Sequence, residues 1–306
     1  MNGEDDMADQ KDLDFSYSLI DKVFRYCVGE AKDFSCALYN GDFSMSLEEA
    51  QRKKHEFIAE NLDIGKGSRV LDMGCGWGPF LKYVEEIGAE GIGVTLSRGQ
   101  AEACRKNGLK VNLMDCREIT HENFGKFDAI TCVEAFEAFC SKKDWKAGKQ
   151  DEIYDCFFKV VYDLLLDGGR FYLQTGTFGK NMFDPDDVDI NADKYSDAYI
   201  GAFMVKQFPG HWLPWGADQI LNDAKPYFKL ISLSNGRLDY VETQRQWRNK
   251  FRKFSLGKLL FYLSFLPSYI TSKDLRNRIA LFGISANKIC FEREIMDHFR
   301  FVFEKI

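Results

Sequence analysis

Two glutamates stand three residues apart at the end of a short apolar segment that has the pattern of a buried strand. Glu134 and Glu137 follow the segment FDAITCV at 127–133. Two carboxylates placed close together in a buried site acquire different pKa values, because each disfavours the charge of the other. We therefore expect one of them to have a raised pKa and to serve in proton transfer. The competing interpretation is a Glu134 that faces solvent or caps a helix.

A glycine-rich turn is the second feature that could carry chemistry. Residues 72–78 read DMGCGWG, after an apolar strand and before a helical pattern. Closely spaced glycines let the backbone approach a ligand where helix N–H groups and open strand ends meet, which predicts a nucleotide-type site. The turn lacks the dinucleotide fingerprint, because its glycines run G-x-G-x-G and the next strand ends in VTLS at 94–97, without an acid. A tight packing turn is the competing interpretation.

The elements that must position these groups alternate between strand and helix patterns. This alternation predicts an α/β fold with a parallel sheet covered on both faces. The helical pattern from residue 151 is expected to end at the glycine pair 168–169, and Ser46 with Glu49 forms a capping box that opens an earlier helix. The segment 180–220 interrupts the alternation, as a lid or substrate wall would. The strand patterns are RVLDMG at 69–74, GIGVTLS at 91–97, KVNLMD at 110–115, FDAITCV at 127–133 and RFYLQTG at 170–176.

Composition excludes several classes of protein. The 306 residues are 45% hydrophobic and 29% charged, which fits a globular domain and not a disordered chain. The net charge is −6, so the chain lacks the excess of positive charge that nucleic-acid-binding proteins usually carry. Nine cysteines, with no CxxC pair and no Cys/His cluster at zinc spacing, indicate reduced thiols. We therefore expect no disulfide, no metal site and a cytoplasmic location.

Membrane contact is a separate question. The acidic start MNGEDDMADQKDLD has no charged-then-apolar signal segment. The apolar stretch 256–270 is too short for a span and is interrupted by Lys258 and Pro267, which favours a core or interfacial helix. The basic run WRNKFRKF at 247–254 precedes it. This run is either a solvated helix face or a contact with an anionic bilayer surface.

Several distant motifs occur together in one order: FSCALY at 34–39, VLDMGCGWG at 70–78, GVTLSRGQ at 93–100, FEAF at 136–139, FPGHWLP at 208–214, DYVETQRQW at 239–247 and CFEREIMDHFRFVFEK at 290–305. With them the sequence resembles the S-adenosylmethionine-dependent methyltransferases of the cyclopropane fatty acid synthase and mycolic acid methyltransferase family, particularly its fatty acid C-methyltransferase branch. The resemblance covers nearly the whole chain. It implies a doubly wound, Rossmann-like class I methyltransferase sheet, a helical N-terminal cap over 1–60, and a methyltransferase domain over 61–306 with a lid at about 178–220 and a C-terminal helical segment.

The resemblance also implies that S-adenosyl-L-methionine is the cofactor. Gly74 and Gly76 would pass under its methionine end, and Gln100 can donate to and accept from ribose hydroxyls. An exposed first-turn position is the alternative for Gln100. The family usually has an aromatic residue and an acid where this chain has Cys116 and Arg117. The implied cofactor-binding residues are Phe34, Ser35, Asp72, Gly74, Gly76, Thr95, Leu96, Gln100, Cys116, Arg117 and Val133.

The resemblance further implies a catalytic set. In the resembled family a bicarbonate held by Cys, Glu, Tyr, His and a backbone N–H is thought to accept a proton, and Cys36, Glu137 and Tyr240 match three of these residues. Gln174 replaces the histidine, and it can donate a hydrogen bond to an anion but cannot carry its charge, so bicarbonate would bind more weakly. Glu134 is an additional candidate base. Cys36 on its own would be interpreted as a small buried apolar residue.

The reaction that the resemblance implies is methylation or cyclopropanation of an alkene carbon in an unsaturated lipid, fatty acyl chain or similar apolar substrate. Attack by an alkene leaves a positive charge on carbon, which needs aromatic or anionic groups and a base. The alternatives are an N- or O-methyltransferase acting on a small molecule such as an amine, and a non-catalytic lipid or cofactor binder. Phe203, Phe208 and Trp212 are either core residues or the wall of a lipid tunnel, and His211 is expected in a loop.

Overall fold

The structure is a computed structural model that describes residues 32–208, 210–254, 256–271 and 285–306. The acidic N-terminal start lies outside these described residues. Seven strands form one sheet, in the order β3-β2-β1-β4-β5-β7-β6. The strands are β1 (Arg69–Met73), β2 (Glu90–Thr95), β3 (Lys110–Leu113), β4 (Phe127–Val133), β5 (Leu165–Phe178), β6 (Phe228–Asn235) and β7 (Met296–Lys305).

Helices join most of these strands. Two 3₁₀ turns, Cys116–Glu118 and Phe136–Ala138, follow β3 and β4. The α-helices of the described residues are α1 (Leu47–Asn61), α2 (Pro79–Glu86), α3 (Arg98–Lys106), α4 (His121–Phe124), α5 (Lys142–Lys146), α6 (Gln150–Leu164), α7 (Asp197–Gln207), α8 (Gly216–Ala224), α9 (Arg237–Arg252), α10 (Leu256–Thr271) and α11 (Ala286–Glu292).

Packing on both faces of the sheet confirms the predicted doubly wound α/β fold. On one face, Phe157 and Phe158 of α6 pack with Phe171, Phe301 and Phe303. On the other face, the apolar sides of α1 and α2 cover the sheet. The predicted capping box is also present at the start of α1, where Ser46 N donates to Glu49 Oε2 at 2.8 Å. Both faces of the sheet are apolar, because each of them is covered by helices.

The sheet is mixed and not purely parallel. Strands β1 to β5 run parallel, but β7 is antiparallel to both β5 and β6. Helices α9, α10 and α11 lie in the C-terminal part of the chain, and residues 296–305 after them form β7, which lies between β5 and β6. Helix α6 also ends at Leu164 and not at the glycine pair 168–169, because Leu165 is buried and pairs with Phe127 of β4.

The strand order reverses between β1 and β4, both of which end at the same edge of the sheet. Ligands of open α/β sheets bind beyond the carboxyl ends of the strands at such a point. Asp72, Thr95 and Val133 lie at the carboxyl ends of β1, β2 and β4. The segment 33–39, which has no regular secondary structure, lies at this edge, and its residues Cys36 and Tyr39 are fully buried.

No helix in the described ranges combines the length and the apolar character that a membrane span requires.

Candidate active site

A cavity of about 360 Å³ lies at the carboxyl edge of the sheet, above the glycine turn. The turn needs glycine, because Gly74 has a φ of +82° and a Cβ there would lie 2.4 Å from the Ala135 side chain. The N–H groups of Gly74 and Cys75 both donate to the Val94 carbonyl at 3.0 Å, which fastens the turn to β2. The backbone of the turn therefore passes close to the residues that follow β4.

The structure brings all eleven sequence-predicted cofactor residues to this one cavity. Two further features of the lining suit a cofactor that has a cationic amine and hydrogen-bond acceptors. The buried carboxyl of Asp72 accepts a 2.8 Å hydrogen bond from Thr131, and burial raises the pKa of Asp72 to about 7. The buried Trp77 Nε1 has no hydrogen-bond partner among the described residues. The predicted residues on the cavity wall are Phe34, Ser35, Asp72, Gly74, Gly76, Thr95, Leu96, Gln100, Cys116, Arg117 and Val133.

The wall contributed by the turn after β3 departs from the family pattern in a specific way. Arg117 is folded back onto Asp115, with Arg117 Nε 3.0 Å from both carboxylate oxygens. Asp115 also lines the cavity, so this wall carries an acid two residues earlier than the family pattern places it. Cys116 is half-buried beside it. Thr95 donates to Gln100 Oε1 at 2.8 Å on the neighbouring wall and thereby orients the Gln100 amide.

A buried ionic cluster holds the segment 33–36 against α1. Lys54 Nζ donates to Asp33 Oδ2 at 2.8 Å and to Ser35 Oγ at 2.6 Å, and His55 Nε2 lies 2.8 Å from the same Asp33 oxygen. Burial would raise the pKa of Asp33, but the charge of Lys54 and the hydrogen bond with His55 hold it well below its usual range. The sequence analysis missed this cluster. Its signal was Gln51, Lys54 and His55 recurring at helical spacing on the inward face of α1.

A second cavity of about 200 Å³ adjoins the first. The two cavities share Phe34, Glu134, Phe208 and His211 in their linings. Burial lowers the pKa of His211 to about 4, so this side chain is neutral at pH 7. His211 lies in the loop between α7 and α8, as expected from the sequence, and this loop brings it to the place where the cavities meet. The lining of the second cavity is mostly apolar and includes Phe178, Met182, Phe183, Val188, Met204, Val205, Trp212, Leu213, Phe291, Ile295 and Met296.

The aromatic residues of the insertion divide between core and cavity. Phe208 lines both cavities and Trp212 lines the second one. Phe203 is buried in the hydrophobic cluster around Tyr39 and Tyr240 and is a core residue. The insertion from 178 to 220 therefore forms a wall of the second cavity, and α7 forms part of it through Met204 and Val205.

Glu134 lies at the meeting point of the two cavities and is held by groups from three separate segments. Its Oε1 accepts hydrogen bonds from the Cys36 backbone N–H at 2.7 Å and from Gln174 Nε2 at 3.0 Å, and it lies 3.1 Å from His298 Nε2. Tyr240 is buried near this carboxylate, and burial together with the charge of Glu134 raises the pKa of the Tyr240 hydroxyl well above its usual value. Burial would raise the pKa of Glu134, but the contacts with His298, Cys36 and Gln174 outweigh it and lower the pKa below its ordinary value. Glu134 is therefore ionised.

Glu137 has a different environment, although it is only three residues away. Its Oε1 accepts a 2.6 Å hydrogen bond from the Gly176 backbone N–H, and its Oε2 is buried with no partner in the part of the chain that the structure describes. Burial and the nearby charge of Glu134 raise the pKa of Glu137 to about 7. The two carboxylates thus have the opposite pKa shifts that their spacing predicts, and Glu137 is the one available to exchange a proton near neutral pH.

The predicted residues Cys36 and Gln174 surround Glu134 without lining either cavity. Tyr172 donates to Gln174 Oε1 at 2.8 Å, which leaves the Gln174 amide nitrogen to donate to Glu134 and to the Cys36 carbonyl. Burial raises the pKa of the Cys36 thiol far above its usual value, so this sulfur is protonated and not a nucleophile. Both residues are fully buried. They can orient Glu134 but do not reach a ligand.

Sequence reasoning missed two residues of this site, His298 and Arg300. Both lie on β7 and face the same side as Gln174, with which Arg300 is in register. Arg300 Nη2 forms a 3.0 Å ion pair with Asp239 and donates to the Ala37 carbonyl at 2.9 Å. The alternation of polar and apolar residues in DHFRFVF at 297–303 was the available signal for a strand.

Comparison with known proteins identifies the family. The family "Mycolic acid cyclopropane synthetase" matches residues 4–257. The chain is 30% identical over 267 residues to the S-adenosylmethionine-dependent methyltransferase UmaA of Mycobacterium tuberculosis, covering 83% of this chain and 88% of UmaA. It is 30% identical over 240 residues to the cyclopropane-fatty-acyl-phospholipid synthase of Escherichia coli, covering 77% of this chain and 55% of that enzyme.

Solved structures give the same result for the fold. Mycolic acid cyclopropane synthase CmaA1, crystallised with SAH and CTAB, superposes with a TM-score of 0.73 at 23% identity, covering 95% of this chain and 96% of CmaA1. The glycine turn, the strand order and the match over residues 4–257 agree with one another. The chain therefore belongs to the mycolic acid cyclopropane synthetase family and is an S-adenosylmethionine-dependent methyltransferase.

Proposed function

We propose that this enzyme transfers the methyl group of S-adenosylmethionine to an alkene carbon of an unsaturated fatty acyl chain. The observation that carries the proposal is the junction of the two cavities, where an apolar chamber meets the cavity of the glycine turn at Glu134. A long aliphatic chain suits the second cavity, because its lining consists mainly of aromatic and aliphatic side chains. The names of the related synthases, which refer to fatty acyl phospholipids and mycolic acids, agree with this substrate class.

The first cavity is assigned to the cofactor. We propose that Gly74 and Gly76 contact its methionine end and that the Asp72 carboxyl receives its amine, which would favour the ionised form of Asp72. Thr95, Leu96 and Gln100 then meet the ribose and adenine, together with Cys116, Arg117 and Val133. Phe34 and Ser35 close the site from the segment that Lys54 and Asp33 hold in place.

When bound, S-adenosylmethionine supplies an electrophilic methyl group. The alkene π electrons form the new carbon–carbon bond, the electrons of the broken bond stay on sulfur, and the neighbouring substrate carbon becomes positive. Loss of a proton from the substrate then yields a cyclopropane or a new alkene. We assign proton acceptance to Glu137, because its Oε2 is unpartnered among the described residues and it lines the acyl cavity.

The other polar residues act on the charge that develops. The Glu134 carboxylate faces the junction and stabilises a positive carbon by charge, and Tyr240 lines the second cavity beside it and contributes its aromatic ring to the same task. Cys36 and Gln174 are assigned as positioning residues, because each donates a hydrogen bond to Glu134. Apolar walls around the junction exclude water, which would otherwise react with the positive carbon.

A second candidate is N- or O-methylation of a small molecule such as an amine. The two carboxylates at the junction favour it, because they would also attract an ammonium group. The large apolar lining of the second cavity and the names of the relatives favour an acyl chain over a small amine as the substrate. Product analysis separates the two, since an amine acceptor keeps its alkene bonds and gains its methyl group on nitrogen.

Contact with an anionic bilayer is also part of the proposal. Helix α10 exposes Leu256, Leu260 and Leu263 at 56–66% of their surface, and the exposed cations Arg248, Arg252 and Lys253 precede it. Lys258 turns inward and donates to the carbonyls that end α9, so the polar interruption of this apolar helix is satisfied internally. Apolar side chains next to exposed cations match the surface of anionic lipids. The cytoplasmic location stays a prediction, in agreement with the eight unpaired cysteines of the described residues.

The experiment supplies cofactor with a deuterated methyl group together with vesicles of a monounsaturated phospholipid. Mass spectrometry of the acyl chains is expected to show a product heavier by one labelled one-carbon unit, with saturated vesicles as the matched control. Anionic and zwitterionic vesicles are compared in a flotation assay, where we expect binding to the anionic ones alone. Label on an added amine but on no acyl chain would contradict the lipid assignment.

A further inference from the structure

The polar groups around Glu134 form an anion-binding site. A backbone N–H from Cys36 and the Gln174 amide donate to Glu134 Oε1, and His298 Nε2 lies 3.1 Å from it. These three donor atoms belong to different segments of the chain, and all three residues other than Glu134 are buried. N–H groups that converge on one point in a dry interior require an acceptor, preferably a negative one.

Glu134 supplies that acceptor from the chain itself, at a backbone cost. Its φ of +52° is in the left-handed region, which a non-glycine residue adopts only when its surroundings enforce it. The conformation directs the carboxylate back over the end of β4, toward Cys36 and β7. The three nitrogen–oxygen distances of 2.7–3.1 Å are those of formed hydrogen bonds, so the donors are already satisfied.

The donor set does not fit the bicarbonate ion that the family resemblance implies. A bicarbonate would have to displace the Glu134 carboxylate from its donors or lie beside it as a second anion. Glu137 is close enough for the charge of Glu134 to raise its pKa, so a further negative charge would face two carboxylates. Gln174, which stands where the family histidine is expected, already donates to Glu134 and to the Cys36 carbonyl.

We propose that the Glu134 side chain permanently occupies the anion site of this enzyme, so that no bicarbonate binds there and the reaction proceeds without it. The statement about the reaction rests on the proposed function, whereas the statement that Glu134 fills the anion site does not. His298 acts as a positioning residue, because its Nε2 contacts Glu134 and its ring packs against that of Tyr240, with the ring centres 5.1 Å apart and the planes tilted by 55°.

A metal ion is the other occupant that these side chains suggest. The ligand atoms of Cys36, Glu134 and His298 all lie within 4.8 Å of one another. However, the Arg300 guanidinium lies 3.4 Å from Cys36 Sγ, and N–H donors point at Glu134 Oε1. Positive and N–H groups around the same atoms disfavour a cation, and burial keeps the Cys36 thiol protonated. The arrangement suits a resident carboxylate better than a metal.

The test compares the wild type with Glu134→Gly and with the exposed control Glu152→Gln. Glycine suits the φ of +52° at position 134, so the variant is expected to fold and to leave the anion site open. Binding of ¹³C-bicarbonate is measured by NMR line broadening, which needs neither cofactor nor lipid. We expect saturable binding to Glu134→Gly alone. Thermal melting of all three proteins verifies folding, and Glu134→Gln is the second variant if the glycine form fails to fold.

Turnover is then measured in carbon-dioxide-free buffer, with and without added bicarbonate. We expect bicarbonate to leave the turnover of the wild type and of Glu152→Gln unchanged. Without bicarbonate, the turnover of Glu134→Gly should be about 100-fold lower than that of the wild type. Added bicarbonate should then raise the turnover of Glu134→Gly by at least about tenfold. Glu134→Gln should lose a similar factor without rescue, because the amide still fills the site.

Three results would overturn the inference. They are a wild type that needs bicarbonate, a wild type that binds labelled bicarbonate as well as Glu134→Gly does, and a Glu134→Gly protein that folds yet binds none. A failure of every lipid acceptor would contradict the proposed function, but it would leave the NMR result to decide this inference.

Discussion

The Cys36 backbone N–H donates a 2.7 Å hydrogen bond to the side chain of Glu134, which lies 98 residues later in the chain. This bond joins the segment that crosses the cofactor cavity to the turn that leaves β4. The same Glu134 borders the apolar cavity, so one contact links both halves of the site. The order of the segment 33–36 and the position of the Glu134 carboxylate therefore depend on each other.

Replacing Glu137 by glutamine tests its role as proton acceptor. The amide cannot accept a proton, so we expect turnover to fall by about 10²–10⁴-fold while cofactor affinity changes little. Turnover is measured by product formation and affinity by calorimetry with S-adenosylhomocysteine. Glu152→Gln, on the exposed side of α6, is the matched control. Equal losses of turnover and of cofactor affinity would argue against the assigned role.

The same variant should affect stability in a pH-dependent way. The pKa of Glu137 is raised to about 7, so the folded state holds a proton that the unfolded state releases above about pH 4.5. Stability is thereby lost as pH rises toward 7. We expect Glu137→Gln to melt at a higher temperature than the wild type at pH 8 and at nearly the same temperature at pH 4. A lower melting temperature at pH 8 would contradict the buried, unpaired carboxylate described above.

The pH profile of turnover follows from the same residue. Below pH 7 Glu137 is largely protonated, so turnover at saturating cofactor should rise up to about tenfold per pH unit and level off above pH 7. Asp72 also has a pKa of about 7, but it lines the cofactor cavity and should affect cofactor affinity. His211, with a pKa of about 4, stays neutral across this range. A flat turnover profile between pH 5.5 and 8 would exclude Glu137 as the base.

Substitution of two glycines by valine separates the effect of backbone strain on stability from the effect of a blocked cavity on cofactor binding. Gly76 and Gly67 both have left-handed φ values, +54° and +87°, and a Cβ at either position meets no atom of the described residues within 4 Å. Valine at either position should lower the free energy of unfolding by about 1–2 kcal/mol. Only Gly76 lines the cavity, so Gly76→Val alone should abolish binding of S-adenosylhomocysteine in calorimetry. Unchanged binding by Gly76→Val would remove the glycine turn from the cofactor site.

The buried ionic cluster should be important for stability. Asp33→Asn leaves Lys54 without its charged partner in a buried site, which typically costs about 3–5 kcal/mol. The double variant Asp33→Asn/Lys54→Met removes the unpaired charge and should recover a large part of this loss. Urea unfolding of the two variants and the wild type measures both effects. A double variant less stable than Asp33→Asn would show that Lys54 is stabilised by groups other than Asp33.

Local sequence patterns were sufficient for the glycine turn, for β4 and for the capped start of α1, because each depends on residues next to one another. The strand β7 was missed, since its identity depends on pairing with β5 and β6, which lie far away in the sequence. The spacing of Glu134 and Glu137 predicted split pKa values. It could not predict the partners of Glu134, because Cys36, Gln174 and His298 come from three other segments.

The two cavities together should form one methyl-transfer site. A crystal structure of the protein with S-adenosylhomocysteine and a monounsaturated fatty acid would decide this. We expect the cofactor in the cavity of the glycine turn, its sulfur toward Glu134, and the double bond at the junction beside Glu134 and Glu137. A cofactor bound outside that cavity, or an acyl chain that avoids the junction, would contradict it.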